Sequence, residues 1–398
     1  MIFCVSVLCD GISIVTRFRL FQISAVVGLV LMSTRIAKKD IPRLLFLGFL
    51  NTGFALSVMK AGRMDRMIMI LGQAYVACPY IYLYLTLRGL GRPTLVALAL
   101  GTIPQLFVYL TGSTLGTGAA YIDGAYTSGG YTSGARFCGT ASDPNFLCLN
   151  LVVVFGAQLA LIRCSRSIPF RVLCMLAAVT TMFLITISLS RAGTIGMSLA
   201  VLIFGLSSCG RHRYGGLCVG VLMVCVFFTA ARLVCEKYSP DSAVGILHNR
   251  FVEEGGSSVL TNDRYEVWNV ALKQIVAGPP MMYNDGLKFV SDNGVAAHNM
   301  LVDLGLRFGW LPAFGHSVIW CAGVALLLLS SCREWFLKKR RQIRAILTQS
   351  SELLVILPFF VVSMSLPASG GFLYWVEFAL VFTLGLFTTH VIPPEQSD

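Results

Sequence analysis

The sequence predicts an all-α protein: a polytopic transmembrane helical bundle of about twelve spans, with a helical outer loop between the ninth and tenth. Three observations predict it. Of 398 residues, 56% are hydrophobic and only 13% charged, against about 25% charged in a soluble domain. The mean hydropathy is +0.75. Apolar runs of bilayer-crossing length, roughly 20 residues, recur from end to end. Transmembrane strands are short and alternate in polarity, so these long runs select helices over a barrel.

In chain order the runs cover 1–16, 20–36, 42–59, 67–88, 93–112, 146–163, 169–189, 192–208, 215–232, 311–331, 350–366 and 371–390. The first carries Asp10 and lacks both a basic start and a small-residue cleavage site. It reads as a short or tilted span and not as a cleavable signal. RIAKKDIPR separates the second run from the third, GLGR the fourth from the fifth, and CSRSI the sixth from the seventh. CGRHRY parts the eighth and ninth, and REWFLKKRRQIR (333–344) follows the tenth. Runs seven and eight are parted only by Ser190 and Arg191.

Positive charge sets the orientation. With the N-terminus inside, the inner loops hold Arg35, Lys38, Lys39 and Arg43; Arg88 and Arg92; Arg163, Arg166 and Arg171; Arg211 and Arg213; and the 333–344 run. Lys60, Arg63 and Arg66 run against the trend. Both termini then lie inside, while 113–145, the Arg191 turn and 233–310 lie outside. The chain divides into spans one to nine (1–232), an outer loop (233–310) and spans ten to twelve (311–398). The net charge of +12 resides mostly in these short loops. It serves topology and attracts anionic lipids, and nucleic acid is excluded as a partner. The 13 cysteines show no CxxC or Cys/His metal spacing and read as small buried hydrophobes. Cys138 and Cys235 fall in outer segments, where a disulfide between them could form.

The first outer segment is rich in Gly, Ser and Thr and carries a small repeat, AYTSGG then YTSGA. A flexible loop is the plainer reading. Stacking of Tyr121, Tyr126 and Tyr131 on sugar rings is the sharper one. In the second, TNDRYEVWNVALKQIVAGPP predicts a helix. Asp263 and Glu266 have capping-box spacing, Tyr265, Trp268, Leu272 and Ile275 form an apolar stripe, and Gly278-Pro279-Pro280 ends it. AHNMLVDLGLRFGWLP predicts a second short helix starting near His298, with Asp303 and Arg307 paired at i,i+4.

Arg191 raises the question of chemistry. An arginine between two apolar runs is either a snorkelling interfacial residue or part of a functional site. The outer segments also offer Arg264 and His298. Two guanidiniums suit a diphosphate, since each can make a bidentate fork. Arg264, in the first turn of its helix, adds backbone donors for the same anion. His298 is the candidate general base. Arg136, Asn145 and Asn299 are further substrate-binding candidates. No Walker A, GxSxG or HExxH pattern is present, and no carboxylate metal site or cofactor is expected.

Four stretches carry a family resemblance: GTASDPN (139–145), SLSRAG (188–193), NDRYEVWNVALKQIVAGPP (262–280) and AHNMLVDLGLRFG (297–309). In order and spacing the chain resembles the O-antigen ligase / O-antigen polymerase family of bacterial inner-membrane glycosyltransferases, over roughly its middle half. The resemblance implies a large periplasmic loop between spans nine and ten. It implies transfer of a glycan from undecaprenyl diphosphate to lipid A-core in a ligase, or to a second lipid-linked glycan in a polymerase, without metal or nucleotide sugar. Arg191 and Arg264 would hold the diphosphate and His298 would activate the acceptor hydroxyl. Where relatives usually show Pro-x-x-Gly-x-Gly, this chain has PPMMYNDG, with only Gly286. Ligase is the leading expectation and polymerase the alternative. A transporter or flippase of lipid-linked sugars is a third reading, for which the spans offer only Asp10, Glu377 and, at an edge, Glu352.

Overall fold

A computed structural model of the protein describes residues 13–15, 18–112, 121–122, 125–127, 130–132, 136–141, 143–208, 262–284, 289, 299–336, 343–364 and 372–386. The fold is mostly helical, with three short antiparallel strand pairs. Six helical segments among the described residues are long and apolar enough to cross a membrane: Ile41–Lys60, Ile70–Leu87, Arg92–Thr111, Pro144–Cys164, Ile168–Ile187 and Trp310–Leu329. Shorter apolar helices cover Ile23–Ser33, Arg191–Leu206 and Ser351–Ser363. These are the features of a membrane protein. The expected run 215–232 lies outside the described residues. The expected first span is corrected at its end, because β1 (Ser13–Val15) pairs with β2 (Phe18–Arg19); the β-branched Ile14 and Val15 favour a strand there.

The chain forms two compact units. The first holds 1–20, 92–266 and 353–366. Its helices are α5 (Arg92–Ala99), α6 (Thr102–Thr111), α7 (Pro144–Cys164), α8 (Ile168–Ile187) and α9 (Arg191–Ser208). Helix α7 is the axis of this unit, nearly all of its residues being buried. DPN starts it: Asp143 caps the helix by accepting from the Asn145 N–H at 2.7 Å, and Pro144 takes the first helical position, where its missing N–H costs nothing. Apolar surface gains little by moving from lipid to protein, so close packing must hold such helices together. Gly193 faces the Cys148 side chain and Gly196 faces Val152 and Val362, and a Cβ at either would collide. Buried polar groups supply the rest: Gln158 Nε2 donates to Thr102 Oγ1 (2.7 Å), and Thr181 Oγ1 donates to Gln158 Oε1 (3.0 Å). Helix α8 turns Ile168, Leu173, Leu176 and Val179 outward, each more than 60% exposed, as a lipid-facing surface requires.

The second unit holds 21–91, 267–352 and 367–398. It contains α1 (Leu20–Ser33, after its first residue), α2 (Ile41–Lys60), α3 (Met64–Gly72), α4 (Cys78–Arg88) and most of α10 (Asn262–Ala277). It also contains α11 (Met300–Phe308), α12 (Trp310–Phe336), the start of α13 (Ile343–Ser363), and α14 (Phe372–Leu386). A π-helical turn, Gln73–Ala77, joins α3 to α4. Asn51 of α2 braces that turn, its Nδ2 donating to the Ala74 carbonyl at 2.7 Å. The core is aromatic: the His316 ring stacks on Phe378 (3.9 Å between centroids) and meets Phe54 edge-on (4.4 Å). Phe54 also packs edge-on against Phe308 and Trp375.

One residue of a predicted stripe changes place. The buried stripe of α10 runs through Ala271 and Ile275, with Val267 partly covered, and packs on Phe289, Leu306 and Val302. Leu272, assigned to the stripe, is 50% exposed. Ala271 takes the inner position in place of Leu272, while Ile275 stays on the expected face, packed close to Gly305 of α11. Helices α12 and α13 also extend into the basic 333–344 run, ending at Phe336 and starting at Ile343. Glu352 is buried within α13 and stands at the edge of its apolar stretch, Ser351–Ser363, as expected.

Candidate functional site

The stretch SLSRAG makes a very tight turn between α8 and α9. Leu189 adopts φ +56°, and it alone among the described non-glycine residues has positive φ. A bulky side chain in left-handed backbone costs of order 1 kcal/mol or more, and such strain persists only where surrounding structure enforces it. The enforcement is polar. Ser188 Oγ donates to the Ile185 carbonyl (2.6 Å) and accepts from the Ser190 N–H (3.3 Å). Cys148 Sγ lies 2.8 Å from the same hydroxyl. Ser190 caps α9: its Oγ accepts from the Gly193 N–H at 3.3 Å and donates to Asn145 Oδ1 at 2.8 Å. Arg191 follows as the first residue of α9, partly exposed.

A third segment closes on this turn. Arg136 ends a β-ladder, β6 (Arg136–Phe137) pairing with β3 (Tyr121–Ile122). Its Nε donates to the Ser188 carbonyl at 3.2 Å. Arg136 is 9% exposed. Burial pushes its pKa down, Asp143, Cys148 and Cys138 pull it back up, and the charge of Arg191 lowers it further. A guanidinium still stays protonated at any ordinary pH. The result is two like charges, Arg136 and Arg191, held together at the start of an 18-residue helix. Helix dipole and cations have the same sign there, and an anion would relieve both.

Of the residues expected from sequence, the structure thus brings together Arg136, Asn145 and Arg191. Asn145 is a clamp on Ser190, accepting from its hydroxyl. Arg264 occupies the first turn of α10. Asn299 is the N-cap of α11: its Oδ1 accepts from the N–H groups of Leu301 and Val302 at 3.0 and 3.2 Å. Its side-chain oxygen is thus committed to the start of the helix. His298 lies outside the described residues, as does Cys235. Cys138 is buried, with its thiol directed at the Arg136 carbonyl, 3.7 Å away.

The expected ion pair on α11 is present, Arg307 Nε donating to Asp303 Oδ2 at 2.9 Å. The Gly-Pro-Pro segment after α10 runs back along the end of α11. Met282 N–H donates to Phe308 O (3.1 Å), Asn284 N–H to Arg307 O (2.9 Å), and Leu311 N–H to Pro280 O (3.0 Å). Gly309 makes this possible with φ +90°, since a Cβ there would lie 2.6 Å from the Pro280 carbonyl oxygen. The repeat AYTSGG/YTSGA pairs as β4 (Ala125–Thr127) and β5 (Gly130–Thr132), with Tyr126 opposite Tyr131.

Sequence reading passed over Gln105, Thr140 and Cys148, which build the support beneath Arg136 and Ser188. The available signal was an amide in an apolar run, GTIPQLFVYL, since a polar group at membrane depth needs a reason. Among the described residues no cluster of three metal-ligating side chains occurs. No family model matches the chain, and no curated protein matches it either.

Proposed function

We propose that this chain is a metal-independent membrane glycosyltransferase of the O-antigen ligase type. It would transfer a glycan from undecaprenyl diphosphate to a hydroxyl of lipid A-core on the periplasmic face of the bacterial inner membrane. The observation that carries the reading is the convergence of Arg136, Asn145 and Arg191 on one strained turn at the end of a bundle of apolar helices. A lipid-linked diphosphate presents its charge at that level of a membrane and its chain within the bilayer. The four motifs that resemble the family add the chemistry to this geometry.

In the proposed reaction the acceptor oxygen attacks the anomeric carbon and its proton passes to His298. The bond from that carbon to the phosphate oxygen breaks, and undecaprenyl diphosphate leaves with the electron pair. Charge grows on the leaving diphosphate, so Arg136, Arg191 and Arg264 would supply most of the acceleration electrostatically. His298 would add on the order of 10²–10⁴-fold as general base. The same site would serve a polymerase with a second lipid-linked glycan as acceptor. A glycan gel of a deletion strain tests the reading. Bare lipid A-core, with polymer accumulating on undecaprenyl diphosphate, is the expected result. Core carrying one repeat unit indicates the polymerase, and an unchanged glycan profile overturns both.

A further inference from the structure

The outer end of α6 is built as a platform for the loop that carries Arg136. Gln105 grips the loop through both ends of its amide. Its Nε2 donates to Thr140 Oγ1 at 2.7 Å, and its Oε1 accepts from the Thr140 N–H at 2.9 Å. Both residues are almost wholly buried, Gln105 at 1% and Thr140 at 2% exposure. One helical turn on, Tyr109 meets the Phe137 ring edge-on at 5.9 Å between centroids, and Phe137 is fully buried. Between the two anchors stands Gly139 at φ +58°, where a Cβ would collide with Gln105 Oε1. Residues 137 and 140 are thus pinned to one face of α6, and Arg136 emerges beside the first pin.

We propose that Gln105 is a positioning residue for anion binding: it fixes the 136–141 loop so that the Arg136 guanidinium reaches the Ser188 turn. The proposal rests on the reading of Arg136 as a ligand of the diphosphate. The physical argument is pre-organisation. A two-ended amide contact with one residue fixes both the position and the orientation of the loop there, so Arg136 binds without first paying to be ordered. An apolar residue of the same length would leave the Thr140 N–H unsatisfied and the loop free to shift.

The test uses the purified full-length chain in detergent, with undecaprenyl diphosphate as the probe and Kd as the readout. Gln105→Leu is expected to weaken binding about tenfold, the scale of losing two buried neutral hydrogen bonds. Gln105→Glu is the rescue: in its neutral form the carboxyl accepts from the Thr140 N–H and donates to its hydroxyl oxygen, as the amide does, and binding returns to within about twofold. If Gln105 acts through Arg136, the double variant Gln105→Leu/Arg136→Ala binds no worse than Arg136→Ala alone. Additive losses overturn the positioning role. Wild-type binding by Gln105→Leu, beside a clear loss in Arg136→Ala, overturns it alone and leaves the anion reading standing. Wild-type binding by Arg136→Ala overturns both. Should Gln105→Leu fail to fold, Thr140→Val removes only the hydroxyl contact. A loss of about threefold is then expected, and unchanged affinity overturns the proposal.

Discussion

Ser190 and Asn145 lie 45 residues apart in the chain, yet Ser190 Oγ donates to Asn145 Oδ1 across 2.8 Å. Each residue stands at the start of a helix, Asn145 in the first turn of α7 and Ser190 at the cap of α9. One hydrogen bond therefore fixes the register of two helix beginnings, and with it the place where Arg191 leaves the bundle. The clamp makes the turn rigid enough to hold Leu189 in left-handed backbone.

Ser190→Ala removes both the cap on the Gly193 N–H and the donor to Asn145. Loss of a serine cap costs about 1–2 kcal/mol, and the part-buried Asn145 contact adds to it. Thermal unfolding in detergent should fall by several degrees, while Ser190→Thr, which keeps the hydroxyl, should stay close to wild type. An unchanged midpoint in the alanine variant would show that the cap is not stabilising.

Arginine-to-lysine exchange separates charge from fork geometry. Arg191→Lys keeps the charge but cannot present two parallel donors, so glycan transfer should be strongly impaired with normal folding. Arg136→Lys should lose transfer and also some stability, because the buried Ser188 carbonyl loses its Nε donor. Arg264→Lys should follow Arg191→Lys. Full complementation of a deletion strain by all three lysine variants would remove the bidentate diphosphate contact from the mechanism.

Gly309→Ala tests the packing of the Gly-Pro-Pro segment against α11. Positive φ is costly for alanine, and the added Cβ would meet the Pro280 carbonyl oxygen at 2.6 Å, a backbone atom with little freedom to retreat. A loss of more than about 2 kcal/mol is expected, visible as poor accumulation in the membrane and a lowered unfolding midpoint. Wild-type stability would mean that the 280–284 segment can move away freely.

His298 is tested by turnover. If it takes the acceptor proton, His298→Ala should cut turnover by about two to four decades with donor affinity nearly unchanged. Acidification should slow the reaction, because a protonated ring cannot accept. Near wild-type turnover in His298→Gln would mark a structural histidine.

Topology is tested by thiol labelling. With native exposed cysteines removed, a cysteine at Ser257 should react with an impermeant reagent in intact spheroplasts, and one at Lys339 should not. The reverse pattern would invert the orientation and displace the site to the other face.

The sequence by itself determined the helical membrane class. Uninterrupted apolar runs admit no other element in lipid, because every backbone group must be bonded within its own segment. Local chemistry also placed particular helix ends: DPN wrote the cap and first residue of α7, Asn299 the start of α11, and Gly309 its end. Other assignments needed neighbours. On α10 Ile275 keeps the expected face, but Ala271 and not Leu272 is buried, a choice made by the neighbouring residues that α10's own periodicity cannot contain. The repeat AYTSGG/YTSGA could not choose between coil and ladder until Tyr126 was paired with Tyr131. The site was legible as separate polar residues, Arg136, Asn145 and Arg191, in otherwise apolar or glycine-rich surroundings. Their meeting at one turn, and the hidden clamp of Gln105 on Thr140, was decided by tertiary structure alone. Hydrogen bonds between residues 35, 45 or 52 positions apart depend on helix register and crossing, which no local pattern encodes.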